Sequence, residues 1–372
     1  MRKKRVLQIS TSPLQYDGLS KVIFSLIDHT SRENCQIDIL LANGGIKEEK
    51  EELDKRNIKY YQGPFREKNT LKYFIYLIKL LKKRKYDVVH VHGNSATMAI
   101  EAIAMKICKV PLRITHSHNT VTAHPLMHAL LKPILNFCVN APVACGHDAG
   151  AYIYSKEFKV IPNCINVSEF KFDIDKREGY RKKLNVKDEF LIGNVGRFTF
   201  QKNHEFMIEG FAKIKKKIPD ALLLLIGSGE LVEDIKLKAE KLGLKNNIIF
   251  LGNSDEVNCY LSAMDVYILP SRYEGLSVSA IEAQASGLEC IMSDKISTET
   301  KKTDKCVFLS IDNSDNWAES IIEIYKKNKT KTIDQLLSDR LKSAEDVIKA
   351  GYDYSNLNGV IEDIWGLNKS VM

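Results

Sequence analysis

Two glutamates, Glu274 and Glu282, stand eight positions apart in a segment reading Ser271-Arg272-Tyr273-Glu274-Gly275-Leu276-Ser277, then Ile281-Glu282-Ala283-Gln284-Ala285 and Gly287. A glycine turn and the start of an apolar helix separate them. The preceding run, Asp265-Val266-Tyr267-Ile268-Leu269-Pro270, reads as a buried strand stopped by proline. Glu274 is thereby predicted in a strand-to-helix loop and Glu282 in the early turns of the next helix. Backbone N–H groups at that helix start suit a phosphate, and the two carboxylates suit sugar hydroxyls. The constellation fits a nucleotide sugar.

Such a site needs parallel strands to hold its loops, and the chain supplies them almost from end to end. In the first half, 6–9, 37–41, 88–91, 112–115 and 142–144 read as strands, with helical patterns at 21–28, 71–83, 97–107 and 126–137 between them. A second series begins at 190–196 and continues through 221–226, 248–251, 266–269 and 290–292. Two alternating series predict two doubly wound α/β domains, each a parallel sheet covered by helices on both faces. Ligands in open parallel sheets bind beyond the carboxyl ends of the strands, so the expected site is a cleft between the two domains. The expected boundaries are 1–165 for an acceptor-side domain and 166–350 for a nucleotide-sugar domain. A final helix within 351–372 is expected to pack back on the first domain. The hinge is placed at Pro162–Asn166.

Composition narrows the class. The chain has 372 residues, 44% hydrophobic and 27% charged, enough for two ordinary cores. No stretch approaches the roughly 20 apolar residues of a membrane span. The basic start Met1–Arg5 precedes only Val6–Ser10, too short and polar for a signal-peptide core, and reads as the lead-in to a first buried strand. Eight cysteines form no CxxC pair or zinc-like cluster and are expected as buried thiols in a reducing cytoplasm. The net charge of +8 lies mostly in the first half. It is not interleaved with a stacking motif, so nucleic acid is not an expected partner.

Four blocks resemble glycosyltransferase family 4, whose members have the GT-B fold and mostly retain anomeric configuration. They are Gly193-Asn194-Val195-Gly196-Arg197-Phe198 with Gln201-Lys202-Asn203-His204; Leu225-Ile226-Gly227-Ser228-Gly229-Glu230-Leu231; Ala263-Met264-Asp265-Val266 through Pro270-Ser271; and the unit of Glu274 and Glu282. Their order and spacing make the resemblance specific, and it covers nearly the whole chain. The wording Glu282-Ala283-Gln284-Ala285-Ser286-Gly287 resembles the branch that builds bacterial capsular polysaccharides and exopolysaccharides.

The resemblance implies roles. Glu282 corresponds to the glutamate that binds ribose hydroxyls, and Glu274 to the one that contacts the donor sugar or supports the reacting face. Arg197 and Lys202 would stabilise the negative charge that grows on the departing diphosphate. Gly275, Leu276 and Ser277 would present backbone amides to the phosphates, and Gly227 and Gly229 would give the nucleotide base a close approach. In the first half, Asp17-Gly18 occupies the place of a turn that commonly holds two glycines; only Gly18 is left, and Asp17 is read as family drift or as a charge shaping acceptor choice. The loop after 112–115 offers two histidines for the reaction centre, His118 being favoured and His116 the alternative. His92 ends a further strand toward the acceptor side.

The expected reaction is front-face, retaining sugar transfer from a nucleotide sugar, with UDP the expected nucleotide and the leaving phosphate oxygen as base. No metal and no further cofactor enter this scheme. The expected acceptor is a glycan or a polyprenyl-diphosphate-linked saccharide in capsular or exopolysaccharide biosynthesis. The apolar, basic-ended run Leu71–Lys85 and the stretch Met127–Phe137 suggest peripheral contact with an anionic membrane surface at the cytoplasmic leaflet. Two other classes stay open. A nucleotide-sugar epimerase of the same fold would isomerise donor without acceptor, and a non-catalytic nucleotide-sugar-binding protein would turn over nothing.

Overall fold

The computed structural model describes residues 2–15, 17–122 and 124–367. They form two units, one made by the chain up to Cys164 together with the segment that begins at Tyr354, the other by Ile165–Asp353. Each is a doubly wound, Rossmann-like domain with an all-parallel sheet.

The first sheet has seven strands: β1 Lys4–Ser10, β2 Cys35–Leu41, β3 Lys59–Gln62, β4 Val88–Gly93, β5 Leu112–Ser117, β6 Ala141–Ala144 and β7 Lys159–Val160, in the order β3-β2-β1-β4-β5-β6-β7. The second has six: β8 Leu191–Val195, β9 Leu222–Ile226, β10 Ile248–Gly252, β11 Val266–Leu269, β12 Glu289–Ser293 and β13 Cys306–Leu309, ordered β10-β9-β8-β11-β12-β13. Central strands are continuous apolar runs because helices cover both faces; Leu223, Leu224 and Leu225 of β9 are fully buried. Strands β3, β7 and β13 are additions to those read from the sequence. The first two are short, and β3 and β13 lie at sheet edges with partly exposed side chains, so their hydrophobic pattern is weak.

Winding reverses at one place in each sheet. β1 is flanked by β2 and β4, and β8 by β9 and β11. The strand-end loops diverge there, leaving a crevice beyond the carboxyl ends. In the second unit, the loop after β8 carries Arg197 and Lys202, and the loop after β11 carries Glu274. Their strands are locked by a buried charge cluster: Asp265 accepts from Arg177 at 2.5 Å, from Arg181 at 3.3 Å and from the Leu191 amide at 2.7 Å. Among the described residues, no helix is long and apolar enough to cross a membrane, and none of the eight cysteines forms a disulfide.

Candidate active site

Side chains from the two loops at the β8/β11 crevice converge. Lys202 Nζ lies 2.6 Å from Glu274 Oε1, with side-chain exposures of 15% and 11%. Ser271 Oγ donates to the same carboxylate oxygen at 3.0 Å. The loops are also tied through their backbones. The Arg272 amide donates to the Gln201 carbonyl at 2.8 Å, Gln201 Nε2 to the Tyr273 carbonyl at 3.0 Å, and Asn203 Nδ2 to the Pro270 carbonyl at 3.2 Å. Arg272 donates to Asn203 Oδ1 at 2.9 Å. The resemblance assigns Lys202 and Glu274 to different parts of a ligand; the structure joins them to each other in an ion pair.

Arg197 is the open cation of the pair. Its guanidinium is 39% exposed and lies 3.8 Å from the exposed Glu230 carboxylate, a contact of little strength in water. An ammonium has three donors, so Lys202 keeps two beyond the one given to Glu274. Its charge also acts on His204, which stacks on Phe198 at a centroid distance of 3.9 Å; burial first, then Lys202, pushes that imidazole down to about 3.

Glu282 lies in the helix Val278–Ala285 and is 2% exposed. Burial chiefly, with Cys290 and then the Glu282 and Glu274 carboxylates adding, raises the phenol of the buried Tyr267. That phenol donates to Ser279 Oγ at 2.9 Å. Ser277 is the N-cap of this helix and makes no side-chain cap bond; the first intrahelical bond runs from the Ile281 amide to the Ser277 carbonyl, so the helix presents its first N–H groups at Val278–Ala280, just after Leu276 and Ser277. Gln284, two residues beyond Glu282, is occupied structurally. It donates to the Thr300 carbonyl and accepts from the Lys302 and Thr303 amides.

Gly227 and Gly229 serve a close approach of backbones. A Cβ on Gly227, whose φ is +139°, would fall 2.2 Å from the Gly196 carbonyl oxygen, and one on Gly229 would fall 2.5 Å from that of Phe198. The Phe198 amide donates to the Ser228 carbonyl at 2.9 Å. The glycines therefore press the turn after β9 against the loop that carries Arg197.

The other unit places its histidines by strand register. Gln8 pairs with His90 across β1 and β4, and His92 with His116 across β4 and β5. Alternation within each strand puts Gln8, His90, His92, His116 and His118 on one sheet face. His92 Nδ1 lies 3.1 Å from His118 Nε2, and His92 Nε2 lies 2.5 Å from Gln8 Oε1. The His90 and His92 rings stack at 4.2 Å, and those of His116 and His118 lie tilted against each other at 4.0 Å. His116 is wholly enclosed within β5, whereas His118 is the first residue beyond it and is partly exposed. Burial holds all four imidazoles well below their usual range, His90 and His118 at about 3. Sequence reasoning noticed His92, His116 and His118 singly and missed Gln8 and His90; the alternation His90-Val91-His92 was the available signal.

Gly18 is the first residue of the helix Gly18–Asp28, and Asp17 is its N-cap, accepting from the Ser20 amide at 2.9 Å. Gln15 Nε2 donates to the other Asp17 oxygen at 3.1 Å. The carboxylate is therefore engaged in ending the helix, a local reason for aspartate at a position read as a lost glycine.

Residues 16–169 match the family model "Glycosyltransferase Family 4", and residues 176–354 match "Glycosyl transferases group 1". EpsF of Bacillus subtilis, a protein named as a glycosyltransferase, is 27% identical over 98% of this chain and 97% of its own. An Escherichia coli protein, UDP-Gal:alpha-D-GlcNAc-diphosphoundecaprenol alpha-1,3-galactosyltransferase, is 28% identical over 79% of each chain. Among solved structures, Anabaena HepE in complex with UDP-glucose superposes with a TM-score of 0.77 at 16% identity, over 96% of this chain and 98% of that one. WaaG, a glycosyltransferase involved in lipopolysaccharide biosynthesis, does so with a TM-score of 0.71 at 16% identity, over 96% and 99%.

Proposed function

Because this chain belongs to the family 4 glycosyltransferases, we propose that it moves a sugar, with retained configuration, from a UDP-activated donor to a lipid-linked saccharide in capsular or exopolysaccharide assembly. The observation that carries the donor side is the ion pair of Lys202 and Glu274 at one strand-end crevice, with Arg197 on the same loop as Lys202 and Glu282 in the helix that follows Glu274. Arg197 and the two remaining donors of Lys202 receive the diphosphate, together with the amides at Gly275–Ser277. Glu282 holds the ribose, and Glu274, braced by Ser271 and Lys202, holds the donor sugar. In the unit with the seven-stranded sheet, His118 offers a ring nitrogen to a sugar hydroxyl.

Transfer then breaks the bond between the anomeric carbon and the phosphate oxygen and forms one to the acceptor oxygen on the same face. The acceptor proton passes to the leaving phosphate. Two cations stabilise the charge that grows there, so turnover is expected to persist in EDTA. The Escherichia coli relative is named for UDP-Gal, a diphosphoundecaprenol-linked acceptor and an α-1,3 linkage, which supports this choice of substrate classes.

A membrane-borne acceptor calls for a surface that meets lipid. The helices Thr70–Arg84, Ala99–Ile107 and Pro125–Cys138 pack side by side. On the last, Leu126, Leu130, Ile134 and Phe137 form an exposed stripe, with Leu126 86% and Phe137 75% accessible. The three helices carry Lys72, Lys79, Lys82, Lys83, Lys106 and Lys132, whereas their one carboxylate, Glu101, is buried against Arg66. Apolar anchors amid unopposed cations fit an anionic bilayer surface.

The test is a panel of UDP-, GDP- and ADP-sugars followed by mass spectrometry and NMR. Slow nucleotide release from one donor supports transfer and names the sugar. Isomerised donor would make the protein an epimerase, and no binding to any donor would remove the reading.

A further inference from the structure

The histidine face carries more than His118. A neutral imidazole has one donor and one acceptor nitrogen, and these rings stay neutral because burial disfavours their charged form. Gln8 Oε1 accepts, so the His92 proton sits on Nε2 and its Nδ1 holds the lone pair. That lone pair faces His118 Nε2, which must then carry the His118 proton. His118 Nδ1 is left as an acceptor. The side chain of Asn163 is the further polar neighbour of this ring.

The same face brings nitrogens of His90, His92 and His116 within 4.8 Å of one another, a spacing that invites a metal ion. The hydrogen bonds oppose it. The Trp365 indole, a donor only, gives its N–H to His90 Nδ1 at 3.2 Å and takes up the single lone pair of that ring. The lone pair of His92 is engaged by His118. A three-histidine ion would need both back.

We propose that Gln8 and His92 are positioning residues that fix His118 as its Nε2–H tautomer, so that Nδ1 accepts a hydrogen bond from a sugar hydroxyl during transfer. This rests on the assignment of His118 to the reacting sugar. The general rule is that the hydrogen bond made by one imidazole nitrogen decides the state of the other. Here the rule runs through two rings, from a β1 glutamine to the end of β5.

The test pairs spectroscopy with kinetics in the full-length protein. Long-range 1H–15N correlation spectra of 15N-histidine-labelled protein should show His92 and His118 as Nε2–H tautomers. Gln8→Met keeps side-chain length and removes the acceptor; His118 should then populate both tautomers. Its kcat should fall about tenfold, the kinetic equivalent of one lost hydrogen bond, with the donor KM little changed. Gln8→Glu keeps an acceptor oxygen and cannot donate, so it should restore the tautomer and most of kcat. A merely structural glutamine would leave Gln8→Met fully active. That result, or a His118 proton found on Nδ1 in the wild type, overturns the proposal. Full turnover in His118→Phe overturns instead the assignment on which the relay rests.

Discussion

Lys202 Nζ and Glu274 Oε1 are 2.6 Å apart in a setting where neither side chain is more than 15% exposed. Removing one partner strands the other charge, at a cost of about 3 kcal/mol for a largely buried pair. Lys202→Met and Glu274→Gln should each destabilise the protein, and the double variant should lose less than their sum. A denaturant-based double-mutant cycle reads this directly. Kinetics should separate roles: Lys202→Ala chiefly lowers kcat, whereas Glu282→Ala chiefly raises the donor KM, by about tenfold for one charge-assisted hydrogen bond. Unchanged kinetics in both variants would remove the site assignment.

The elements behind this pair were legible because β8, β9 and β11 are apolar runs closed by Gly196, Gly227 and Pro270. The pair itself was not. It joins residues 72 positions apart (274 − 202 = 72) through the order of strands in a sheet, which no local pattern states. The histidine face is hidden for the same reason, since it depends on the register of β1, β4 and β5. The helix Lys47–Lys55 was missed differently: its sequence KEEKEELDK holds one large apolar residue, Leu53, so amphipathic periodicity is nearly absent.

Asp17 supplies a prediction about a departure from the family pattern. As N-cap of Gly18–Asp28 it satisfies the Ser20 amide. Asp17→Ala should cost about 1 kcal/mol and Asp17→Gly only a few tenths. Asp17→Asn, which keeps an acceptor and loses the charge, should be as stable as the wild type. Urea unfolding distinguishes the series, and an Asp17→Ala protein of full stability would refute the capping role.

The exposed stripe Leu126, Leu130, Ile134 and Phe137 predicts lipid binding that survives only with its apolar anchors. Wild-type protein should sediment with vesicles containing anionic lipid and release them as salt rises. Leu130→Ser and Phe137→Ser, both at accessible positions, should each weaken partitioning roughly tenfold. Binding equal to wild type in the double variant, or no binding by the wild type, would show that this face has another use.

Stability should fall in mild acid, and the sign follows from the histidines. His90, His92, His116 and His118 have folded-state pKa values depressed from the ordinary 6.5, with His90 and His118 at about 3. Below pH 6.5 the unfolded chain binds protons that the native state refuses. The stabilisation is complete above that pH and drains away as pH falls toward about 3. Each such histidine contributes a slope of roughly 1.4 kcal/mol per pH unit within the window. Trp365, hydrogen-bonded to His90, reports on this unit once Trp317, which belongs to the other, is replaced by Phe. Fluorescence-detected unfolding at pH 7.5, 6.0 and 5.0 should show the decline, and His116→Phe should reduce its slope by about one proton's worth. An unchanged slope in that variant would mean that His116 already carries its proton in the folded protein.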